Sequence, residues 1–125
     1  IFCIGENLRE KRKGKTFKIL SKQIKESIEK KFNLKKIFIT YEPVWSIGTN
    51  KILKSEDLKK SFLFIKKFYK KNFKIKSDPV ILYGGSVNEK NISKFRSIDE
   101  INGFLIGGAS QSSKKFIDII KNYYK

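Results

Sequence analysis

The feature that most restricts the fold of this chain is an alternation of two apolar spacings. Four short apolar runs stand out: Phe2-Cys3-Ile4, Ile37-Phe38-Ile39-Thr40, Val80-Ile81-Leu82-Tyr83 and Gly103-Phe104-Leu105-Ile106. None alternates apolar with polar residues, so each reads as a strand buried on both faces. Between and after them the spacing changes to steps of three and four. Phe17, Leu20, Ile24 and Ile28 form one such stripe, Leu58, Phe62, Ile65 and Tyr69 a second, and Phe116, Ile117, Ile120 and Tyr124 a third. That is helix spacing. Asn33 is expected to stop the first helix, Ser55 to cap the second with Glu56 and Asp57 in its first turn, and Asn88 to cap a short helix over 89–95. Segment 6–15, punctuated by Gly14, reads as a polar link. Strand then helix, repeated four times, gives the α/β class with parallel strands joined by right-handed crossovers. The pattern alone leaves open half of a closed barrel or a small open sheet.

The second run leads directly into Tyr41-Glu42-Pro43-Val44-Trp45-Ser46-Ile47-Gly48-Thr49-Asn50. Pro43 has no N–H for a strand ladder, so the strand must stop at Glu42. A carboxylate at the carboxyl end of a parallel strand stands where α/β proteins place their chemistry. The loop behind it holds Val44, Trp45 and Ile47, side chains with no reason to sit in a solvated connector unless the loop closes over something. The pattern is that of a lid beside a base; the plainer alternative is a surface acid with a tryptophan packed on a neighbour.

The third and fourth runs end in Gly84-Gly85-Ser86 and Gly107-Gly108-Ala109-Ser110. Glycines let the backbone approach a ligand, and exposed N–H groups ahead of a helix make an anion cradle. A single such turn is as well explained by tight geometry. Two at adjacent strand ends, with Glu42 one strand earlier, suggest a base beside a phosphate pocket, hence proton abstraction from a small phosphorylated substrate.

Charge invites a different reading. Lys and Arg number 29 against 12 Asp and Glu, a net charge of +17, which suggests nucleic acid or another polyanion as a partner. Only Arg9, Arg12 and Arg96 are arginines, and Ala109 is the sole alanine. Abundant Lys, Asn, Ile, Phe and Tyr with scarce Ala and Arg is what an A+T-biased coding sequence produces, and the lysines are spread along every helix. Nucleic acid binding by a basic, non-catalytic half-barrel is therefore the second reading. Cys3 is the single cysteine, so an internal disulfide is impossible and a reducing, cytoplasmic setting fits. Histidine is absent. No apolar run approaches membrane-spanning length, so no membrane partner is expected.

Taken together, Cys3-Ile4-Gly5-Glu6, Tyr41-Glu42-Pro43-Val44-Trp45 with Ile47-Gly48-Thr49, Tyr83-Gly84-Gly85-Ser86-Val87 and Gly103-Phe104-Leu105-Ile106-Gly107-Gly108-Ala109-Ser110 resemble the motifs of the triosephosphate isomerase family, in order and at its spacings. The resemblance spans nearly the whole chain and falls on the family's C-terminal half. It implies strands five to eight, with their helices, of an eight-stranded parallel (β/α) TIM barrel. Residues 1–125, starting at Ile1 and not Met, are then a partial barrel domain, a fragment without the N-terminal half. The resemblance implies Glu42 as the catalytic base that interconverts dihydroxyacetone phosphate and D-glyceraldehyde 3-phosphate through an enediol. It implies phosphate binding by the backbone of Gly48, Ser86, Gly107 and Gly108, and a lid of Pro43, Val44, Trp45, Ser46, Ile47, Gly48 and Thr49. Tyr83 is implied as its latch, with Glu6 and Tyr41 as partners of Trp45. No metal and no cofactor are implied, and the complete protein is expected to be a cytoplasmic homodimer of glycolysis and gluconeogenesis. Ser46, Asn50, Asn102 and Gln111 depart from the residues common in the family. The family's Asn-Lys pair and histidine of its first half have no counterpart here, so this piece alone is expected to be inactive, with two unpaired sheet edges and an open interior.

Overall fold

A computed structural model describes residues 1–125. Four strands, β1 (Phe2–Ile4), β2 (Phe38–Tyr41), β3 (Val80–Tyr83) and β4 (Gly103–Phe104), form one parallel sheet in the order β1-β2-β3-β4. The α/β class and the parallel pairing expected from the apolar runs are both present. Four α-helices accompany the strands: α1 (Leu8–Arg12), α2 (Thr16–Ser27), α3 (Ser55–Phe73) and α4 (Ser113–Tyr124).

Register decides which side chains meet the helices. Ile4, Tyr41 and Tyr83 lie in one row with Phe104, and Ile39 and Ile81 lie on the same face two residues earlier. Those five residues from β1 to β3 are buried, packed with Leu20 and Ile24 of α2 and with Leu58, Phe62, Ile65 and Tyr69 of α3. Tyr41 meets Phe62 edge to face, with centroids 6.3 Å apart. The helix stripes of α2 and α3 thus do what their spacing requires.

The opposite face differs from the expectation of burial on both sides. Phe38 is 41% exposed, Cys3 is exposed, and β3 alternates between half-buried Val80 and Leu82 and buried Ile81 and Tyr83. The reason is that α2 and α3 pack on the face of Ile39 and Tyr41; of the strand residues on the other face only Thr40 is fully buried. β1 and β4 each pair with a single neighbour and form the sheet edges.

Five local expectations need correction. The link 6–15 contains α1, started by a reciprocal cap: Asn7 Oδ1 accepts from Glu10 N at 2.9 Å and Glu10 Oε2 from Asn7 N at 2.8 Å. Helix α2 ends at Ser27, well before Asn33, because Ile28 turns extended to bury its side chain. Ser55 is the first residue of α3 and Lys54 its cap, with Glu56 and Asp57 in the first turn as expected. The helix expected over 89–95 shrinks to a single 3-10 turn at Ile92–Phe95, because Asn88 Oδ1 already accepts from Lys90 N and Asn91 N and closes a turn there. In α4 the buried residue is Ile119, and Tyr123 meets Phe104, so the whole expected stripe of Phe116, Ile117, Ile120 and Tyr124 remains exposed.

Beyond the last row of the sheet the ladder continues: Glu42 N donates to Ile4 O at 2.8 Å and Gly84 N to Tyr41 O at 3.0 Å. Gly5 flanks this step. A Cβ there would collide with the Glu42 carbonyl and stand 3.1 Å from Pro43 N, and the Gln23 side chain of α2 binds both Gly5 N (2.9 Å) and Gly5 O (3.0 Å). Gly5→Ala should therefore push the β1 and β2 ends apart and cost more than about 2 kcal/mol in urea unfolding. Gly14→Ala is the comparison, since its Cβ meets nothing within 4 Å and only its φ of +65° is strained; about 1 kcal/mol is expected there. Equal losses at the two sites would contradict the close-approach argument.

Candidate functional site

Period-two geometry sends Glu42 to the face opposite Tyr41, away from the helices. It is half-buried, between Gly5 on the β1 side and Gly84 on the β3 side. A Cβ on Gly84 would stand 3.3 Å from the Glu42 carboxyl carbon and 3.0 Å from Thr40 Cγ2. The glycines keep the strand ends low around the carboxylate, which leaves it open to a cavity of about 580 Å³. Glu42, Gly48, Ser86, Gly107 and Gly108 all line that cavity. The residues singled out as base and phosphate cradle thus come together at the carboxyl end of the sheet.

The cradle geometry is specific. Gly48 has φ +67° and Ser86 φ +47°, both left-handed, and Gly108–Gln111 forms a 3-10 turn directly after Gly107. The backbone N–H groups of Gly48, Ser86, Gly107 and Gly108 donate to no carbonyl of the chain. Amides at the rim of a cavity and without an internal acceptor are ready donors for an anion.

The segment 43–49, expected to act as a lid, is folded down on the strand ends. Val44–Ser46 makes a 3-10 turn after Pro43, and Val44 N donates to Glu6 O at 3.0 Å. Ser46 is buried, and its hydroxyl donates to Lys51 O at 2.5 Å. Its carbonyl in turn accepts from Thr49 Oγ1 at 2.9 Å and from Ser86 Oγ at 2.5 Å. Asn50 closes the segment at φ +58°, a conformation Asn tolerates. Val44 and Ile47 are 54% and 48% exposed, so these two apolar side chains are not spent on packing within this chain, unlike Trp45, which packs against the core.

Trp45 Nε1 donates to Glu6 Oε1 at 3.1 Å, and the Tyr41 hydroxyl donates to Glu6 Oε2 at 3.1 Å. Glu6 is fully buried beneath them. Burial, followed by the Glu6 charge, pushes the Tyr41 phenol far above its ordinary value, so it remains a donor. The Tyr83 hydroxyl is buried beside Ser46 and the Leu53 backbone, and burial raises its pKa as well. Glu6, Tyr41 and Tyr83 therefore all border the lid. Asn102 takes a structural part: its Oδ1 accepts from Ile81 N at 2.8 Å and its N donates to Ile81 O at 2.9 Å, which holds the start of β4 against β3. Nothing in the structure explains Gln111.

Two features escape the sequence reading. Lys90, Lys94 and Lys115 line the main cavity, and no signal separates them from the many other lysines. Lys11 places its Nζ 3.5 Å from the centroid of the Trp45 ring. Partial burial lowers its pKa, opposed by the charges of Glu6 and Asp57. The Asn7-x-x-Glu10 spacing is the signal that could have found it, by marking a helix that carries Lys11 alongside the end of β1.

Cys3 lies on the open face near Glu42. Partial burial raises its thiol pKa, and the Glu42 carboxylate raises it further because a thiolate there would face a like charge. Glu42→Gln should therefore move the Cys3 titration to lower pH, read from thiolate ultraviolet absorbance; no movement would place the carboxylate away from the thiol.

The family profile described as Triosephosphate isomerase matches residues 1–123. Among curated relatives, the triosephosphate isomerase of Dictyoglomus thermophilum is 42% identical over 126 residues, covering 98% of this chain and 51% of its own length. That of Saccharomyces cerevisiae is 40% identical, covering 98% and 50%, and that of Mycoplasmopsis pulmonis 40%, covering 96% and 46%. The chain thus spans about half the length of these relatives, and the half it matches is C-terminal.

Proposed function

The chain belongs to the triosephosphate isomerase family, and from that membership we propose that it is the base-bearing half of an isomerase that interconverts dihydroxyacetone phosphate and D-glyceraldehyde 3-phosphate. In the complete protein, four further strands close the sheet into an eight-stranded barrel, and residues of that other half supply the electrophile and cation. The observation that carries the reading is convergence. A half-buried carboxylate and four amides without internal acceptors, from three different strand ends, line one cavity.

In the proposed reaction the Glu42 carboxylate takes a proton from the carbon beside the substrate carbonyl. The electron pair left behind forms a C=C bond as the carbonyl π pair moves to its oxygen, which takes up a proton to give the enediol. The other hydroxyl then gives up its proton, its oxygen re-forms a C=O bond, and the C=C pair takes the proton held by Glu42 at the neighbouring carbon. One carbon-bound and one oxygen-bound proton are lost and one of each is gained, so the isomerisation balances without a net change of oxidation state. The N–H groups of Gly48, Ser86, Gly107 and Gly108 hold the phosphate, which fixes both carbons within reach of one carboxylate. Pro43 to Thr49 cover the site and exclude water while the enediol exists. We place the complete protein in the cytoplasm as a homodimer serving glycolysis and gluconeogenesis. No helix here is long and apolar enough to cross a membrane.

Assay of the complete protein with either triose phosphate tests the reading; lack of interconversion would refute it. Glu42→Asp withdraws the carboxylate by about one carbon–carbon bond, and a displacement of that size is expected to lower kcat about 100-fold. An unchanged kcat would remove Glu42 from the role of base.

A further inference from the structure

The indole of Trp45 is gripped at two electrically different places. Its N–H edge donates to Glu6 Oε1 at 3.1 Å, while Lys11 Nζ lies 3.5 Å from the ring centroid. An aromatic ring is positive at its edge and negative on its face. A carboxylate at the edge and an ammonium on the face match both poles at once.

Neither partner belongs to the lid. Glu6 directly follows the ladder step at Gly5, and Lys11 sits on α1, whose start is fixed by the Asn7–Glu10 reciprocal cap. The grip is therefore anchored to the sheet and to a capped helix, outside the loop that carries Trp45.

The charges also depend on one another. Glu6 is fully buried and takes part in none of the five ion pairs of the chain. Its donors are the Tyr41 hydroxyl and the Trp45 N–H. Lys11 is the cation that faces it past the indole. When Trp45 swings away, Glu6 loses a donor and Lys11 loses the ring face, so both losses favour the docked lid. Glu6, Lys11, Tyr41 and Leu53 also border a second cavity of about 230 Å³, which leaves the flexible lysine stem room to release the ring.

We propose that Lys11 is a positioning residue for the lid: it holds the Trp45 ring down so that residues 43–49 stay closed over Glu42. The kinetic part rests on the isomerase reading; the grip on the ring does not. No step of proton transfer passes through Lys11.

The test uses the complete protein labelled with 5-fluorotryptophan, the Trp45 fluorine resonance being identified by its loss in Trp45→Phe. Lys11→Met removes the charge and keeps the length, Lys11→Gln is a second neutral variant, and Lys11→Arg restores a cation. Both neutral variants should shift and broaden the Trp45 resonance and lower kcat/KM about fivefold, the scale of a partly buried cation over an indole. Lys11→Arg should return both toward the parent values. An unmoved resonance in the neutral variants, or the same displacement in Lys11→Arg, overturns the grip. A moved resonance with unchanged kcat/KM in an active isomerase overturns the positioning role. Should the parent protein lack isomerase activity, the functional reading fails and the resonance still decides the grip.

Discussion

The structure depends on the register of three short parallel strands. Ile4, Tyr41 and Tyr83 share one row, and the next step is made by Glu42 N to Ile4 O and Gly84 N to Tyr41 O. Because side chains alternate faces, a slip of one residue would send Ile39 and Tyr41 away from the helices. Burial of Ile4, Ile39, Tyr41, Ile81 and Tyr83 against α2 and α3 therefore forbids the slip. The same burial fixes Glu42 on the other face. A carboxylate at the open end of the sheet is thus positioned by apolar contacts it does not make.

The segment proposed as a lid is held by polar groups that the register places within its reach. Ser46 shows how: its buried hydroxyl finds Lys51 O, and its carbonyl accepts from both Thr49 and Ser86. Each of these groups would be costly to bury alone. Together they tie the lid to its own far end and to the turn after β3. The left-handed conformations at Gly48 and Asn50 let the segment reverse between those ties.

Much of this was written plainly in the sequence. Pro43 marks the strand end and so the place of Glu42, the paired glycines mark the turns that line the cavity, and the stripe Leu58, Phe62, Ile65, Tyr69 marks the long helix and its buried side. What was hidden was hidden for physical reasons. Helix α1 has no apolar stripe, only a reciprocal cap, and reads as a link unless the cap is noticed. The turn after β3 carries apolar residues at helical spacing, but the Asn88 side chain offers the backbone a competing arrangement. Lys11 looks like every other lysine in a chain rich in them, and only its place over an aromatic ring sets it apart. Continuous apolar runs also overstated burial, since residues such as Phe38 face a side that these helices do not cover.

That uncovered side has an evolutionary meaning. Phe38, Val80 and Leu82 add little to the packing of this chain's own helices. Selection can act on their size only through whatever meets them across the sheet. In relatives of twice this length, drift at these positions would be coupled to residues distant in sequence, whereas Ile39 and Ile81 answer to the helices packed on their own face. One sheet thus holds two sets of side chains that evolve under separate constraints, interleaved residue by residue.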